Sequence, residues 1–270
     1  MTQLTLTKHH GLGNDFLVLV SPPEVDLPAL ARQLCHRRLG VGADGLLVAT
    51  DADGFDARMV LYNADGSRAE MSGNGIRCFA QSIAMRRGNL QPLRVLTDAG
   101  ERMVELSDGS RPGELFAAVD MGPVETLPEP AGWATLGCDP MRPVMHLSLG
   151  NPHSVVGVEE VAGVDLLALG EQVPHVNLEI VEPGPEPFAI TMRVHERGAG
   201  ITEACGTGAC ASAWAARAWG LVTAATEEIV VHMDGGDATV RMHQPAPGRV
   251  TLVGPTQFVA TVTVDIATSE

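Results

Sequence analysis

Residues 59–75, MVLYNADGSRAEMSGNG, are nearly repeated by residues 192–208, MRVHERGAGITEACGTG. Each copy opens with the alternating apolar pattern of a strand and passes through a polar turn that contains glycine. Each copy then ends in a small nucleophile, Ser72 or Cys205, followed by Gly-X-Gly. The offset is 133 residues at both ends, from 59 to 192 and from 72 to 205. An internal repeat of this kind predicts two similar halves.

The similarity continues on both sides of the repeated stretch. GNGIRCFAQSIAMRRG follows Ser72 and GTGACASAWAARAWG follows Cys205, which predicts two helices that end near Gly88 and Gly220. Both helices are apolar on most faces and are therefore expected to be buried. Strand-like segments follow each helix, and the halves open alike, with GLGNDFLVLV in the first and SLGNPHSVVGV in the second.

These patterns predict an α+β fold of two pseudo-symmetric domains, each with strands wrapped around a central buried helix. We expect the N-terminal half to span residues 1–120 and the C-terminal half 121–255. The apolar strand within 256–270 is expected to return to the first half. The active site is expected in the cleft between the two.

The composition excludes several classes of partner. The 270 residues carry a formal net charge of −15, which argues against binding nucleic acid or an anionic membrane surface. No apolar run is long enough to span a membrane, and the start does not resemble a signal peptide. The sparse cysteines form neither a disulfide framework nor a CxxC zinc pair, so we expect a reducing cytoplasm and free thiols. They are Cys35, Cys78, Cys138, Cys205 and Cys210.

The two Gly-X-Gly motifs indicate proton transfer. Unpaired backbone N–H groups at a helix start are partly positive, so the sequence predicts a lowered thiol pKa for Cys205 and a nest that binds a carboxylate. The alternative for one such motif alone is a buried, inert cysteine at a helix start. The same nest follows Ser72. If the halves face each other, a small substrate could be held with one side chain on either face of its reacting carbon. Inversion of a carbon centre needs that geometry, because one group removes a proton and another returns one from the opposite side.

Other polar residues fit an amino-acid substrate, although each also has a purely structural interpretation. Arg197 could clamp a carboxylate, Glu196 could hold an ammonium group, and His153 could relay a proton. The glycines lack the lysine of a phosphate loop, the histidines lack metal-ligand spacing, and no lysine suits a Schiff base, so no cofactor or metal is expected. Asparagines near turns or strand ends either contact substrate or cap turns, namely Asn14, Asn63, Asn74, Asn151 and Asn177.

At these positions the chain resembles the diaminopimelate epimerase family. The motifs that carry the resemblance occur in order from start to finish: residues 8–16 (KHHGLGNDF), 63–67 (NADGS), 72–78 (SGNGIRC), 150–153 (GNPH), 196–200 (ERGAG) and 204–210 (ACGTGAC). The resemblance implies a homodimeric, cofactor-independent isomerase that interconverts LL- and meso-diaminopimelate, with one catalytic cysteine on each face of the α-carbon.

The resemblance also assigns roles to individual residues. Cys205 takes one of the two catalytic positions, and His153 and Glu196 are similar to residues that assist the family's cysteines. Gly73, Asn74, Gly206 and Thr207 would supply the two nests. The positions that resemble substrate-binding residues are Asn14, Asn63, Asn151, Asn177, Glu196 and Arg197.

One departure bears on activity: the first catalytic position, a cysteine in the family pattern, is Ser72 here. Three explanations stay open. Ser72 is an engineered replacement, or it relays protons through a partner or water, or the chain acts on another substrate or by a single base. The competing functions are therefore an epimerase or racemase of another amino acid on this scaffold, or a non-catalytic amino-acid binder.

Overall fold

A computed structural model describes residues 2–266. The chain divides into two compact units, one made of the residues up to Val119 and from Gly254 onward, the other of Asp120–Val253. The elements of the first unit, in chain order, are β1 (Thr2–Gly11), β2 (Asn14–Val20), α1 (Leu27–Cys35), β3 (Gly45–Thr50), β4 (Ala57–Asn63), β5 (Arg68–Ala69), α2 (Gly73–Arg87), β6 (Leu93–Thr97), β7 (Gly100–Asp108) and β8 (Glu114–Pro123).

The second unit repeats this order. Its elements are β9 (Glu125–Thr126), β10 (Val144–Ser148), β11 (Pro152–Gly157), α3 (Leu166–Gly170), β12 (Asn177–Pro183), β13 (Ala189–Glu196), β14 (Gly200–Thr202), α4 (Gly206–Trp219), β15 (Glu228–Met233) and β16 (Gly236–Met242), with short 3-10 turns at Trp133–Leu136 and Val161–Gly163. The long strand β17 (Arg249–Ile266) closes the chain.

Strand pairing follows one pattern in both units. In the first, β1–β2 is antiparallel, β2–β3 parallel, β3–β4 antiparallel, β4–β6 parallel and β6–β7 antiparallel. In the second, β10–β11, β11–β12, β12–β13, β13–β15 and β15–β16 follow the same sequence of directions. The repeat predicted from the sequence is therefore confirmed at the level of topology.

Strand β17 contributes to each unit with a different part of its length. Residues 250–253 pair antiparallel with β16, and residues 257–266 pair antiparallel with β1. The remainder of the segment predicted from the sequence, residues 267–270, lies outside the described residues.

Helix α2 is the centre of the first unit. Every residue from Gly73 to Ala84 is buried, and the helix contacts β1, β2, β3, β4 and β7. It ends at Gly88, whose left-handed φ of 69° is open to glycine at little cost. Helix α4 repeats the arrangement in the second unit, with buried residues throughout its first three turns and Gly220 at φ 77°. The predicted α+β fold with a buried helix in each half is confirmed.

Because both faces of β3 and β12 are covered, alternate side chains on these strands face different helices. In β3, Leu46 and Val48 pack into the apolar cluster with α1, whereas Leu47 points to α2. In β12, Leu178 and Ile180 pack into the cluster on the α3 side. Within residues 2–266, no helix has both the length and the apolar character needed to cross a membrane.

Candidate active site

Ser72 is the N-cap of α2. Its backbone is extended, with φ −141° and ψ 124°, and its Oγ accepts a hydrogen bond from the Gly75 N–H at 3.0 Å. An N-cap side chain satisfies one of the N–H groups that a helix start leaves without an internal partner. The half-buried Ser72 hydroxyl therefore sits at the positive end of the α2 dipole.

Cys205 is the N-cap of α4 and has the same conformation as Ser72. Its backbone has φ −127° and ψ 113°, and its Sγ accepts a hydrogen bond from the Gly208 N–H at 3.4 Å. The side chain is nearly inaccessible, since the residue is only 4% exposed. The repeat thus extends to the atoms that cap the two buried helices.

A hydrogen-bonded network leads away from Cys205. Thr207 Oγ1 lies 3.5 Å from Cys205 Sγ, and Asn151 Nδ2 donates to Thr207 Oγ1 at 3.2 Å. Asn151 Oδ1 in turn lies 3.1 Å from His153 Nε2. The structure therefore joins four of the residues that the sequence singled out into one chain of contacts.

The start of α2 carries its own network of amides. Asn74 Nδ2 donates to Asn14 Oδ1 at 3.1 Å, and Asn14 Nδ2 donates to Asp44 Oδ2 at 2.8 Å. Arg77 donates to Asn74 Oδ1 at 2.6 Å. Asn14 and Asn74 are thereby brought together and held in one orientation beside the Ser72 cap.

Glu196 ends β13, and Arg197 begins the turn that follows. Asn177, at the start of β12, is buried and its Oδ1 accepts a hydrogen bond from the Arg197 N–H at 2.8 Å. The Thr202 hydroxyl donates to the Glu196 carboxylate. Asn177 thus shapes the turn that presents Arg197, which is exposed.

Asn63 ends β4, at the position equivalent to Glu196 in the other copy of the repeat. Its Nδ2 donates to the Ser67 hydroxyl at 3.0 Å, and Gly66, in the same turn, has φ 82°. Of the two interpretations that the sequence allowed for Asn63, this contact supports the structural one, because the side chain closes a turn within its own segment.

The prediction of a lowered thiol pKa for Cys205 is wrong for this structure. Burial is the largest influence and raises the pKa of the Cys205 thiol well above its usual value, and the nearby Glu196 and Glu179 carboxylates raise it further. The Thr207 hydroxyl and the Gly208 N–H act in the opposite direction but do not outweigh burial. In this state Cys205 holds its proton at neutral pH.

Glu179 was not predicted from the sequence to belong to the site. This residue is fully buried in β12, and its Oε1 lies 2.6 Å from His153 Nδ1. Burial raises the pKa of Glu179, although His153 opposes that effect. A signal was present, because LEIV is an otherwise apolar strand in which a single carboxylate is out of place.

Arg77 lies in the motif of residues 72–78, and the sequence predicted no role for it. It is fully buried, and two glycines make room for its guanidinium. A Cβ at Gly254 would lie 2.5 Å from Arg77 NH1, and one at Gly11 would lie 2.9 Å from NH2. The neighbouring Cys78 is also fully buried in the core, and burial raises its pKa to about 12.

The strands behind the two helix starts carry different side chains. In the first unit Phe16 on β2 pairs with Gly45 on β3, whereas in the second His153 on β11 pairs with Asn177 on β12. Because Gly45 and Asn177 are equivalent in this register, Leu47 and Glu179, each two residues further along its strand, are also equivalent. An apolar pair behind Ser72 is thus replaced by an ionisable pair behind Cys205.

Solved structures share this fold at low sequence identity. A phenazine biosynthesis protein of the PhzF family from Bacillus anthracis matches with a TM-score of 0.75 and 14% identity, covering 98% of this chain and 100% of that one. A hydroxyproline epimerase from Agrobacterium vitis matches with a TM-score of 0.72 and 14% identity, covering 97% of this chain and 92% of that one. These likenesses establish the pseudo-symmetric fold.

Sequence comparisons are more specific. Diaminopimelate epimerase from Desulfitobacterium hafniense is 39% identical over 279 residues, covering 95% of this chain and 96% of that protein. Diaminopimelate epimerase from Halothermothrix orenii is 35% identical, with 96% and 97% covered. Fold, capped nucleophiles and relatives together define an epimerase-type isomerase. Residues 6–127 and 145–259 match the sequence profile described as diaminopimelate epimerase, and the chain belongs to that family.

Proposed function

We propose that this protein interconverts LL- and meso-diaminopimelate, with Ser72 and Cys205 acting on opposite faces of the same α-carbon. The observation that carries the proposal is the equivalent capping position of the two side chains in two copies of one motif. Relatives that bear the name diaminopimelate epimerase at 35–39% identity support the substrate.

The proposed chemistry moves one proton off the α-carbon and another onto it. In one direction Cys205, which holds its proton in this structure, first releases that proton to water. The thiolate then takes the proton of the C–H bond and becomes a thiol, while the Ser72 hydroxyl protonates the opposite face. Water returns a proton to the Ser72 alkoxide, and with Cys205 again a thiol the starting state is restored. No electrons leave the substrate, and the N–H groups at the two helix starts stabilise its carboxylate and the negative charge of the carbanion.

Ser72 makes the two proton transfers of this reaction differ in rate. A hydroxyl is a much weaker acid than a thiol, so delivery of a proton to a carbanion is feasible whereas removal of one from carbon by Ser72 is slow. We therefore expect exchange of the α-proton at the Cys205 face to be faster than inversion. Water that reaches Ser72 Oγ would act as its proton relay.

The test is to incubate the protein with LL-diaminopimelate in deuterium oxide and to follow both α-deuterium incorporation and meso product. Exchange with inversion supports the two-sided reaction, and exchange without inversion assigns a single working base. Tight binding with neither process would identify an amino-acid binder, and absence of binding would assign the scaffold to another substrate. Each of the last three outcomes contradicts the proposal.

We also propose that the reaction takes place in the cytoplasm, where thiols remain reduced, and that the chain forms a homodimer. Size-exclusion chromatography with light scattering tests the second point. A particle with the single-chain mass of 28.4 kDa at micromolar concentration would contradict the dimer.

A further inference from the structure

Glu179 is a buried carboxylate with one strong contact. Its Oε1 lies 2.6 Å from His153 Nδ1, and its Oε2 has no hydrogen-bond partner among the described residues. Both side chains are 0% exposed. An ionised carboxylate buried with a free oxygen is costly, and a proton shared with the imidazole removes most of that cost.

The contacts around His153 fix the direction of every hydrogen bond towards Cys205. Because Asn151 Nδ2 donates to Thr207, Asn151 Oδ1 is the atom that faces His153 Nε2, so Nε2 carries a hydrogen and donates. The remaining proton then lies between His153 Nδ1 and Glu179 Oε1.

The other end of the network is the sulfur. Thr207 Oγ1 accepts from Asn151 and keeps its own hydrogen for Cys205 Sγ at 3.5 Å. A thiolate can only accept, so the Thr207 hydroxyl must donate to it when Cys205 is ionised. The Thr207 donor is therefore oriented from the far end by Glu179.

We propose that Glu179 is a positioning residue for the Cys205 half of the reaction: it holds His153 with the proton on Nε2, so that Asn151 and Thr207 present a hydrogen-bond donor to the cysteine. This inference rests on the proposed function and deepens it. It also accounts for the difference between the repeats, because the Ser72 side has Phe16 and Leu47 where the Cys205 side has the ionisable pair.

Two substitutions separate orientation from mere packing. E179L introduces the residue found at the equivalent position of the first unit, and it removes the partner of His153 Nδ1. E179Q keeps a partner, because the carboxamide can donate to an Nδ1 atom that lacks hydrogen while Nε2 stays protonated. The proposal predicts that E179L lowers kcat for α-proton exchange by about 10- to 100-fold. E179Q should keep at least about one third of the wild-type kcat.

Two further readouts distinguish positioning from a structural role. KM for LL-diaminopimelate should change by less than about twofold in both variants, because Glu179 contacts His153 rather than substrate. The thermal midpoint of E179Q should stay close to that of the wild type, because the carboxamide still pairs with His153 Nδ1, whereas E179L leaves this buried nitrogen without a partner and should be less stable. Activity is therefore measured well below the midpoint of each variant, and equal losses of kcat in E179Q and E179L would overturn the proposal.

Nitrogen-15 NMR of the histidine rings tests the network without any turnover. The His153 signal is assigned by its loss in H153Q, and the wild type and E179Q should show hydrogen on Nε2, whereas E179L should show a mixture of tautomers. An unchanged tautomer in E179L refutes positioning by Glu179. If the wild type shows this pattern but exchanges no diaminopimelate, the proposed function fails while the positioning role stands.

Discussion

Ser72 and Cys205 cap their helices in the same way: Ser72 Oγ accepts from the third N–H of α2 at 3.0 Å, and Cys205 Sγ accepts from the third N–H of α4 at 3.4 Å. Extended backbone at both positions gives the two side chains the same place at the start of their helices, with an oxygen in one and a sulfur in the other. In the proposed reaction, the chemical difference between oxygen and sulfur would therefore make its two halves proceed at different rates.

Replacement of Ser72 by cysteine should raise the rate of inversion. A thiol at this cap gives and takes protons near neutral pH far more readily than a hydroxyl, and positioned acid–base groups contribute about 10²–10⁴-fold. The S72C rate of meso product formation from LL-diaminopimelate is compared with that of the wild type and of S72A. A rate for S72C equal to or below that of the wild type would contradict the two-base assignment.

Removal of the Cys205 thiol should abolish the exchange that the wild type shows. C205A lacks the only sulfur at the start of α4 in the described structure, and deuterium incorporation should fall by about 10²-fold or more. C138A is the matched control, because Cys138 is a half-buried loop residue that packs against the apolar cluster of Trp133 and Leu166. Retained exchange in C205A would remove Cys205 from the mechanism.

Alkylation should reveal the raised pKa of Cys205. Burial and the nearby Glu196 and Glu179 carboxylates stabilise the thiol form, so iodoacetamide should modify Cys138 first at pH 7. The alkylation rate of Cys205, followed by mass spectrometry of its tryptic peptide, should increase steadily as the pH rises above 8. Rapid modification of Cys205 at pH 7, before Cys138, would contradict the raised pKa and support the activated thiolate that the helix start alone suggested.

The two Gly-X-Gly motifs should tolerate alanine unequally. A Cβ at Gly208 would lie 2.7 Å from Glu179 Oε1, whereas a Cβ at Gly75 would meet Ser72 Cβ at 3.0 Å and a Leu47 methyl at 3.4 Å. The Glu179 carboxylate is held by His153 and cannot move freely, so G208A should cost about 1–3 kcal/mol and disturb exchange.

G75A serves as the matched variant for G208A. Alanine in a helix is favoured over glycine by about 1 kcal/mol, which offsets the tighter fit, so G75A should change the free energy of unfolding by less than about 1 kcal/mol. Urea denaturation followed by circular dichroism measures both variants. Equal destabilisation by the two alanines would show that Glu179 yields as easily as the Leu47 methyl.

His9 should make the protein less stable as the pH falls below neutrality. Burial lowers the pKa of His9 from 6.5 to about 4, although its hydrogen bond with Gln81 opposes this. The unfolded chain binds a proton below about pH 6.5 and the folded chain only near pH 4, so stability falls by about 3 kcal/mol between these values.

The measurement is the free energy of unfolding from urea titrations at pH 7, 6, 5 and 4. H9Q should show a shallower decline than the wild type over this window, while H175Q, which changes an exposed histidine, should keep the wild-type slope. Identical slopes in H9Q and the wild type would exclude His9 as the source.

Local patterns were sufficient for much of the fold. Apolar periodicity identified both buried helices, because a helix that is apolar all round has no face for water, and the glycines at 88 and 220 marked their ends. The repeat identified Ser72 and Cys205 as equivalent before any coordinates. Helix periodicity and helix ends depend on residues that are close in the sequence, so both can be predicted from the chain.

Environment could not be read in the same way. The helix start predicted a more acidic Cys205, yet the depth at which Cys205 lies reverses the sign, and burial is a property of everything packed around the thiol. Likewise, the surroundings of Glu179 depend on which helix covers its side of β12.

The sequence alone therefore determined two copies of one α+β motif, each with a nucleophile at the start of a buried helix. Only the tertiary structure decided that His153 and Glu179 form a buried pair, that Asn151 and Thr207 link it to Cys205, and that Cys205 holds its proton. The physical reason is that dielectric surroundings and hydrogen-bond partners come from strands and helices that are distant in the chain.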